Sequence, residues 1–273
     1  MTQIPLLSIV CMALSALLSI GLPIGLFIGF RRKYHAPFIA LMAGITGFTL
    51  FALTLERGVH SIVLQSTVAQ NRVFFVVYAV LMAGIFEESA RFIAYHLLKK
   101  KFTGITLNAA LAYGVGHGGI EAILLTGLTM INNIVISVMI NTGSIETVLA
   151  SLEGATLEQA KVQFSSLATV ATPQFLIGGI ERVFAIGIQL SLSVLVFYAV
   201  FGTKRRQWLY PLAILIHALF DIPAVLYQVQ VLNLVTTEVL TGVFCIALIT
   251  VTLRIHQNFG TPLTPTKAKS NTI

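Results

Sequence analysis

The sequence has little charge and almost no cysteine. Asp, Glu, Lys and Arg together make up 10% of the 273 residues, against roughly 25% in a soluble domain. That scarcity, with 56% hydrophobic residues and a mean hydropathy of +0.91, excludes an ordinary soluble globule. The only two cysteines, Cys11 and Cys245, lie in apolar runs and read as small interior or lipid-facing residues. A disulfide framework and a zinc-cysteine site are thereby excluded. The metalloprotease pattern HExxH is missing, as are the serine elbow GxSxG and a pair of intramembrane aspartates. The first apolar run has no basic segment before it and no small-residue cleavage site, so it reads as a retained helix and not as a signal peptide.

What is present is a series of apolar runs of about 20 residues or more, each long enough to span a bilayer. They cover about 4–30, 36–55, 73–98, 105–130 (or as far as 140), 173–201, 208–227 and 239–255. The expectation is an all-α, polytopic membrane helix bundle of about seven transmembrane helices, forming a single domain over residues 1–256. Basic residues are distributed unevenly. Arg31-Arg32-Lys33, Lys99–Lys101, Lys204-Arg205-Arg206, Arg254, Lys267 and Lys269 fall on one side of such a bundle; Arg57, Arg72 and Lys161 fall on the other. This positive-inside bias predicts an outside N-terminus and a cytoplasmic C-terminus in a cell membrane. It also accounts for the net charge of +7 without a nucleic-acid partner.

Two stretches lie outside the runs. Residues 141–172 read as an outward hairpin or lid, with a surface helix from about Leu157 announced by the capping-box spacing of Thr156 and Gln159. Residues 257–273 read as a disordered tail. No internal repeat or second domain is visible.

Charges within the runs carry the chemistry. Glu87, Glu88, Arg91, Glu121, Glu181, Arg182 and Asp221 all fall inside spans, joined by His117 and His217. Each ionisable group at mid-helix costs about 2.5–3.5 kcal/mol on insertion scales, so such groups pair with one another and mark functional sites. Glu87 and Glu88 reach Arg91 at i+4 and i+3. His117 reaches Glu121 at i+4, and His217 reaches Asp221 at i+4. Three helices therefore each present an acid–base constellation. Arg91 reads as the counter-ion that makes one buried glutamate tolerable. Glu181 and Arg182 are adjacent, so their side chains start about 100° apart and are expected to find partners on other helices. Asp221 either works with His217 or satisfies backbone groups freed by Pro223.

Two carboxylates and two imidazoles suit the activation of water. Adjacent buried carboxylates cannot both ionise cheaply, which suits one of them to act as a general base. Histidines can orient the water or stabilise an oxyanion. The same set suits a divalent metal or a proton relay in a transporter.

The segments "EESAR" (Glu87–Arg91), "YGVGH" (Tyr113–His117) and "HALFD" (His217–Asp221), in this order on separate spans, resemble the three motifs of glutamic-type intramembrane proteases, the group that includes the CAAX prenyl proteases. The fuller "GHGGIEAI" and "GGIERVFAI" are most similar to the bacterial YhfC family of membrane peptidases. The resemblance runs from the first span to the seventh. It implies an intramembrane peptidase acting on a membrane-embedded peptide or protein, with no cofactor and no metal. It implies Glu87 as base, His117 as its assistant, and His217 with Asp221 at the scissile carbonyl. Glu88 and Arg91 become the supporting pair, with Glu121 and Glu181 as further support. Two features depart from the CAAX pattern: two residues, not three, separate the Glu pair from Arg91, and Asp221 stands where Asn is usual. A non-catalytic scaffold of the same fold, like the scaffold subunit of gamma-secretase, is the alternative.

Overall fold

The computed structural model describes residues 2–260. Regular structure is helical throughout, with no strand among the described residues. In chain order the helices are α1 (Leu6–Tyr34), α2 (Phe38–Val63), α3 (Arg72–Lys101), α4 (Asn108–Thr142), α5 (Ile145–Ala150), α6 (Gly154–Thr169), α7 (Thr172–Phe201), α8 (Lys204–Gln228, opening in a 3-10 turn) and α9 (Leu234–Phe259). All except α5 and α6 are long and apolar enough to cross a membrane, which makes seven such helices among the described residues. The protein is a multi-pass, all-helical membrane protein.

Local chemistry sets the helix ends. Asn71 caps α3 by accepting from the Phe74 amide at 3.0 Å, and Asn233 caps α9 by accepting from the Thr236 amide at 2.9 Å. Lys99–Lys101 complement the C-terminal end of the α3 dipole.

Three helices depart from their expected boundaries. Helix α2 continues past Leu55 to Val63, through a π-helical stretch at Phe48–Glu56. Polar residues after Leu55 lower the hydropathy without interrupting the helix, which brings Glu56, Arg57 and His60 into the span. Helix α9 begins at its Asn233 cap and so includes Glu238; it ends at Phe259, beyond the expected boundary at 256. The rest of the expected tail, residues 261–273, lies outside the described residues. The segment 141–172 forms α5 and α6, and α6 starts at Gly154. Thr156 therefore sits inside its first turn, and the cap position, Glu153, makes no side-chain capping bond.

Close contacts divide the chain into two compact units: the chain up to Leu22 with Glu121–Val183, and Pro23–Ile120 with Phe184 onward. The first unit has a core of Ile4, Met12, Ile136, Ile140, Phe164 and Phe175. Asn141 fastens its N-terminal segment, accepting from the Ile4 amide at 2.7 Å and donating to the Ile4 carbonyl at 2.9 Å. Ser15 donates to the Phe175 carbonyl.

The second unit is organised around the Phe184–Phe201 stretch of α7, which is buried on nearly every side. A helix that is apolar all round belongs inside a bundle. Its neighbours include Tyr95, Tyr113 and Leu209, all fully buried. Small residues let backbones approach without intervening side chains. A Cβ on Gly84 of α3 would lie 2.7 Å from the Ile214 carbonyl oxygen of α8. A Cβ on Gly44 of α2 would strike the Tyr113 carbonyl of α4, and one on Gly116 would strike the Leu41 carbonyl of α2. Glu87 lies one turn beyond Gly84, His217 one turn beyond Ile214, and His117 directly after Gly116. The glycine contacts thus set the spacing of α3 from α8 and of α4 from α2.

Gly84→Val should lower the unfolding midpoint of the detergent-purified protein. Overpacking at such a contact costs about 1–3 kcal/mol. Gly29→Ala in α1, where a Cβ meets nothing within 4 Å, should leave the midpoint unchanged or slightly raised.

Candidate active site

In the second unit, α3, α4, α7 and α8 bring together Glu87, Glu88, Arg91, His117, Gln189, His217 and Asp221. Glu88, Arg91 and His117 are wholly buried, and Glu87 is 8% exposed. Arg91 donates to Glu88 Oε1 on the same face of α3. That Oε1 also lies 2.7 Å from His217 Nδ1 of α8. The Arg91 guanidinium sits 5.7 Å from the Tyr113 ring centroid, a cation–π contact. Arg91 Nη2 donates to Gln189 Oε1 of α7, and Gln189 Nε2 donates to Glu87 Oε2 at 3.0 Å. His117 Nε2 meets the same oxygen at 2.8 Å. His217 Nε2 stands 3.6 Å from Glu87 Oε2 and 3.6 Å from Asp221 Oδ2.

The two glutamates therefore occupy different environments. Glu88 is closed in and tied to a guanidinium. Glu87 keeps some exposure and faces both imidazoles. Phe48 packs edge-on against the His117 ring at 5.2 Å and Tyr113 lies over it at 5.9 Å, which restricts the imidazole plane. Ser89 faces away, its hydroxyl 2.9 Å from the Tyr210 hydroxyl, and takes no part in this network.

Within the first unit, Glu121 and Glu181 form an ionic group with Arg182. Arg182 Nη1 lies 2.8 Å from Glu121 Oε1, and Arg182 also bonds Glu181. The divergence expected of Glu181 and Arg182 is overcome by side-chain length. Both arms are long enough to fold back toward each other, so Arg182 serves its neighbour and Glu121 together.

Two participants were not legible among the in-span charges. Gln189 is uncharged, so a search for charge passes over it, although an amide in so apolar a helix is itself a signal. Glu56 of α2 is buried at 7% exposure, close enough to Glu87, His217 and Asp221 to interact electrostatically with all three. Its signal was the i,i+4 spacing to His60, the same spacing that marks His117 and His217.

Buried imidazole and carboxylate donors are the types that suit a divalent ion such as zinc, and Glu87 and His117 each offer a ligand atom within 4.8 Å of the other.

Removing one partner of a buried ion pair strands the other and costs about 3–5 kcal/mol. Arg91→Met should therefore be strongly destabilised in denaturant titration. Glu88→Gln on that background should recover part of the loss, because the stranded charge is gone.

The family described as "YhfC intramembrane metalloprotease" matches residues 18–243 of the chain. The Uncharacterized membrane protein YhfC of Bacillus subtilis (strain 168) is 42% identical over 228 residues, which is 81% of this chain and 85% of that protein. No solved structure matches. The matched region contains α2, α3 and α8 in full and every residue of the network above, and on that extent the chain belongs to the YhfC family of intramembrane proteases.

Proposed function

We propose that the Glu87 centre hydrolyses a peptide bond in or near a membrane-embedded peptide or protein substrate, with water activated by glutamate and histidine. The observation that carries this reading is the convergence of His117 Nε2, at 2.8 Å, and His217 Nε2, at 3.6 Å, on one Glu87 oxygen. A carboxylate held by donors on one oxygen keeps its other oxygen for water. Glu87 takes a proton from that water as the hydroxyl attacks the carbonyl carbon, then returns it to the leaving nitrogen. His117 and Gln189 fix the plane of the Glu87 carboxylate. His217 donates its Nδ1 proton to Glu88 and presents Nε2 to the carbonyl oxygen, where a proton on Nε2 stabilises the developing negative charge. Asp221, on the same helix, positions His217; as a direct oxyanion partner an ionised aspartate would be repulsive. Glu88 and Arg91 hold His217 and Gln189 in place. The groups all belong to helices of membrane-spanning length, which supports a substrate presented within the bilayer.

The family's description favours a second reading, in which Glu87 and His117 are among the ligands of a divalent metal. Bound there, zinc would supply Lewis acidity to the water and to the scissile carbonyl. The closeness of the Glu87 and His117 ligand atoms supports this reading.

Membranes from cells expressing the wild type should show new N-termini within or beside transmembrane segments of other proteins. Glu87→Gln should reduce their formation by about 10²–10⁴-fold, the usual weight of general acid–base catalysis; unimpaired cleavage would end the assignment of Glu87. Metal analysis of the purified protein separates the two readings. Undiminished cleavage by metal-stripped enzyme supports Glu87 as the base. Loss of cleavage on chelation, restored by zinc, transfers water activation to the metal.

A further inference from the structure

Glu56 has no role in the chemistry above, yet it is a buried carboxylate inside a membrane span. Phe48, Ala52 and Glu56 are the buried positions of the π-helical part of α2, spaced every four residues and so sharing its inner face. Phe48 packs on His117 from that face. Glu56 follows two turns later, within electrostatic range of Glu87, His217, Asp221, Arg57 and Tyr78. Its carboxylate meets His60 Nε2 at 3.2 Å, one turn further along α2. The other nitrogen of that ring, Nδ1, lies 2.8 Å from the Tyr78 hydroxyl of α3. The His60 side chain is 27% exposed, and the Tyr78 ring packs against Phe74 at 5.7 Å. Tyr78 precedes Glu87 by nine residues, about 13 Å along the α3 axis. A line of hydrogen-bonding groups thus runs from Glu56, within electrostatic range of the Glu87 centre, through His60 to Tyr78, toward the end of the bundle where α3 begins.

We propose that Glu56, His60 and Tyr78 form a proton-exchange path serving the Glu87 centre from that membrane face. The role rests on the peptidase reading. Hydrolysis places a hydroxyl on the carbonyl carbon and a proton on the nitrogen as the C–N bond breaks. The new carboxylic acid then has to lose its proton inside a centre already crowded with Glu87, Glu88, Glu56 and Asp221. Glu56 takes that proton and passes it to His60 Nε2. His60 releases its Nδ1 proton to the Tyr78 oxygen as the phenol gives its own to water. One proton enters, one leaves, and nothing is oxidised or reduced. Exchange with water at the exposed edge of His60 restores the starting tautomer. An imidazole bonded at both nitrogens is the group such a transfer requires, since it can accept at one nitrogen while donating from the other.

The test pairs kinetics with a spectrum that needs no turnover. His60→Ala should lower kcat by about a hundredfold, the low end of acid–base contributions, with KM unchanged, and added imidazole should restore much of the rate. Tyr78→Phe should lower kcat less. An unchanged kcat, or a loss that imidazole does not rescue, overturns the path. In 15N-histidine-labelled protein held in lipid nanodiscs, Glu56→Gln should shift the His60 Nε2 resonance and Tyr78→Phe the Nδ1 resonance. Resonances that do not move overturn it equally. Failure here leaves the Glu87→Gln result standing, whereas cleavage surviving in Glu87→Gln removes the catalytic reading itself.

Discussion

The Arg91 guanidinium, buried to zero exposure, is the point on which the polar interior of the second unit depends. An isolated cation there would be prohibitively costly, and so would Glu88 without it. Together they are tolerable, and the pair reaches further than its own charge balance. Glu88 holds the far side of His217, while Arg91 holds the amide of Gln189, which in turn holds Glu87. One ion pair on one helix face therefore fixes groups contributed by α7 and α8. The glycine contacts at Gly84, Gly44 and Gly116 serve the same end by steric means, because charged groups spaced this finely require backbones that cannot drift.

The ionic group of the first unit follows a different logic. Arg182 sits between Glu121 and Glu181, so two carboxylates share one cation. A carboxylate held by a guanidinium is a poor base, and this arrangement suits the holding of helices in an apolar medium. The distinction matters for the reading of motifs. Glu121 makes a salt bridge to Arg182, and Asp221 faces His217 one turn before it. Spacing establishes which side chains can meet; only the neighbouring helices decide which do.

The helical class, the seven spans and the three charged motifs were legible because a bilayer imposes strict terms on sequence. Length and hydropathy mark each span, and every charge inside one stands out against an apolar background. What escaped did so for the same reason. Hydropathy closes the second span at Leu55, because Glu56 and Arg57 resemble the polar margin of a helix. The backbone continues regardless, since helical hydrogen bonds are satisfied within the segment whatever its side chains. Glu238 was missed at the opposite end of α9 by the same rule, the true start being fixed by the Asn233 cap. The paired roles of Glu87 and Glu88 were beyond the sequence altogether. Both reach Arg91 by spacing, and only the position of Gln189 and the two histidines separates them.

Gln189 shows why the network needs a neutral member. A carboxylate at this position would accept from Arg91 but would then confront Glu87 with a third negative charge. A lysine would neutralise Glu87 but repel Arg91. An amide has an acceptor at one end and a donor at the other, and Arg91, which can only donate, dictates which end it receives. The Gln189 Nε2 is thereby aimed at Glu87 with no net charge added. Glu87 gains an oriented donor while remaining free of a direct ion pair with arginine. Both imidazole Nε2 atoms then lie within 3.6 Å of Glu87 Oε2, whereas Glu88 is bound by Arg91.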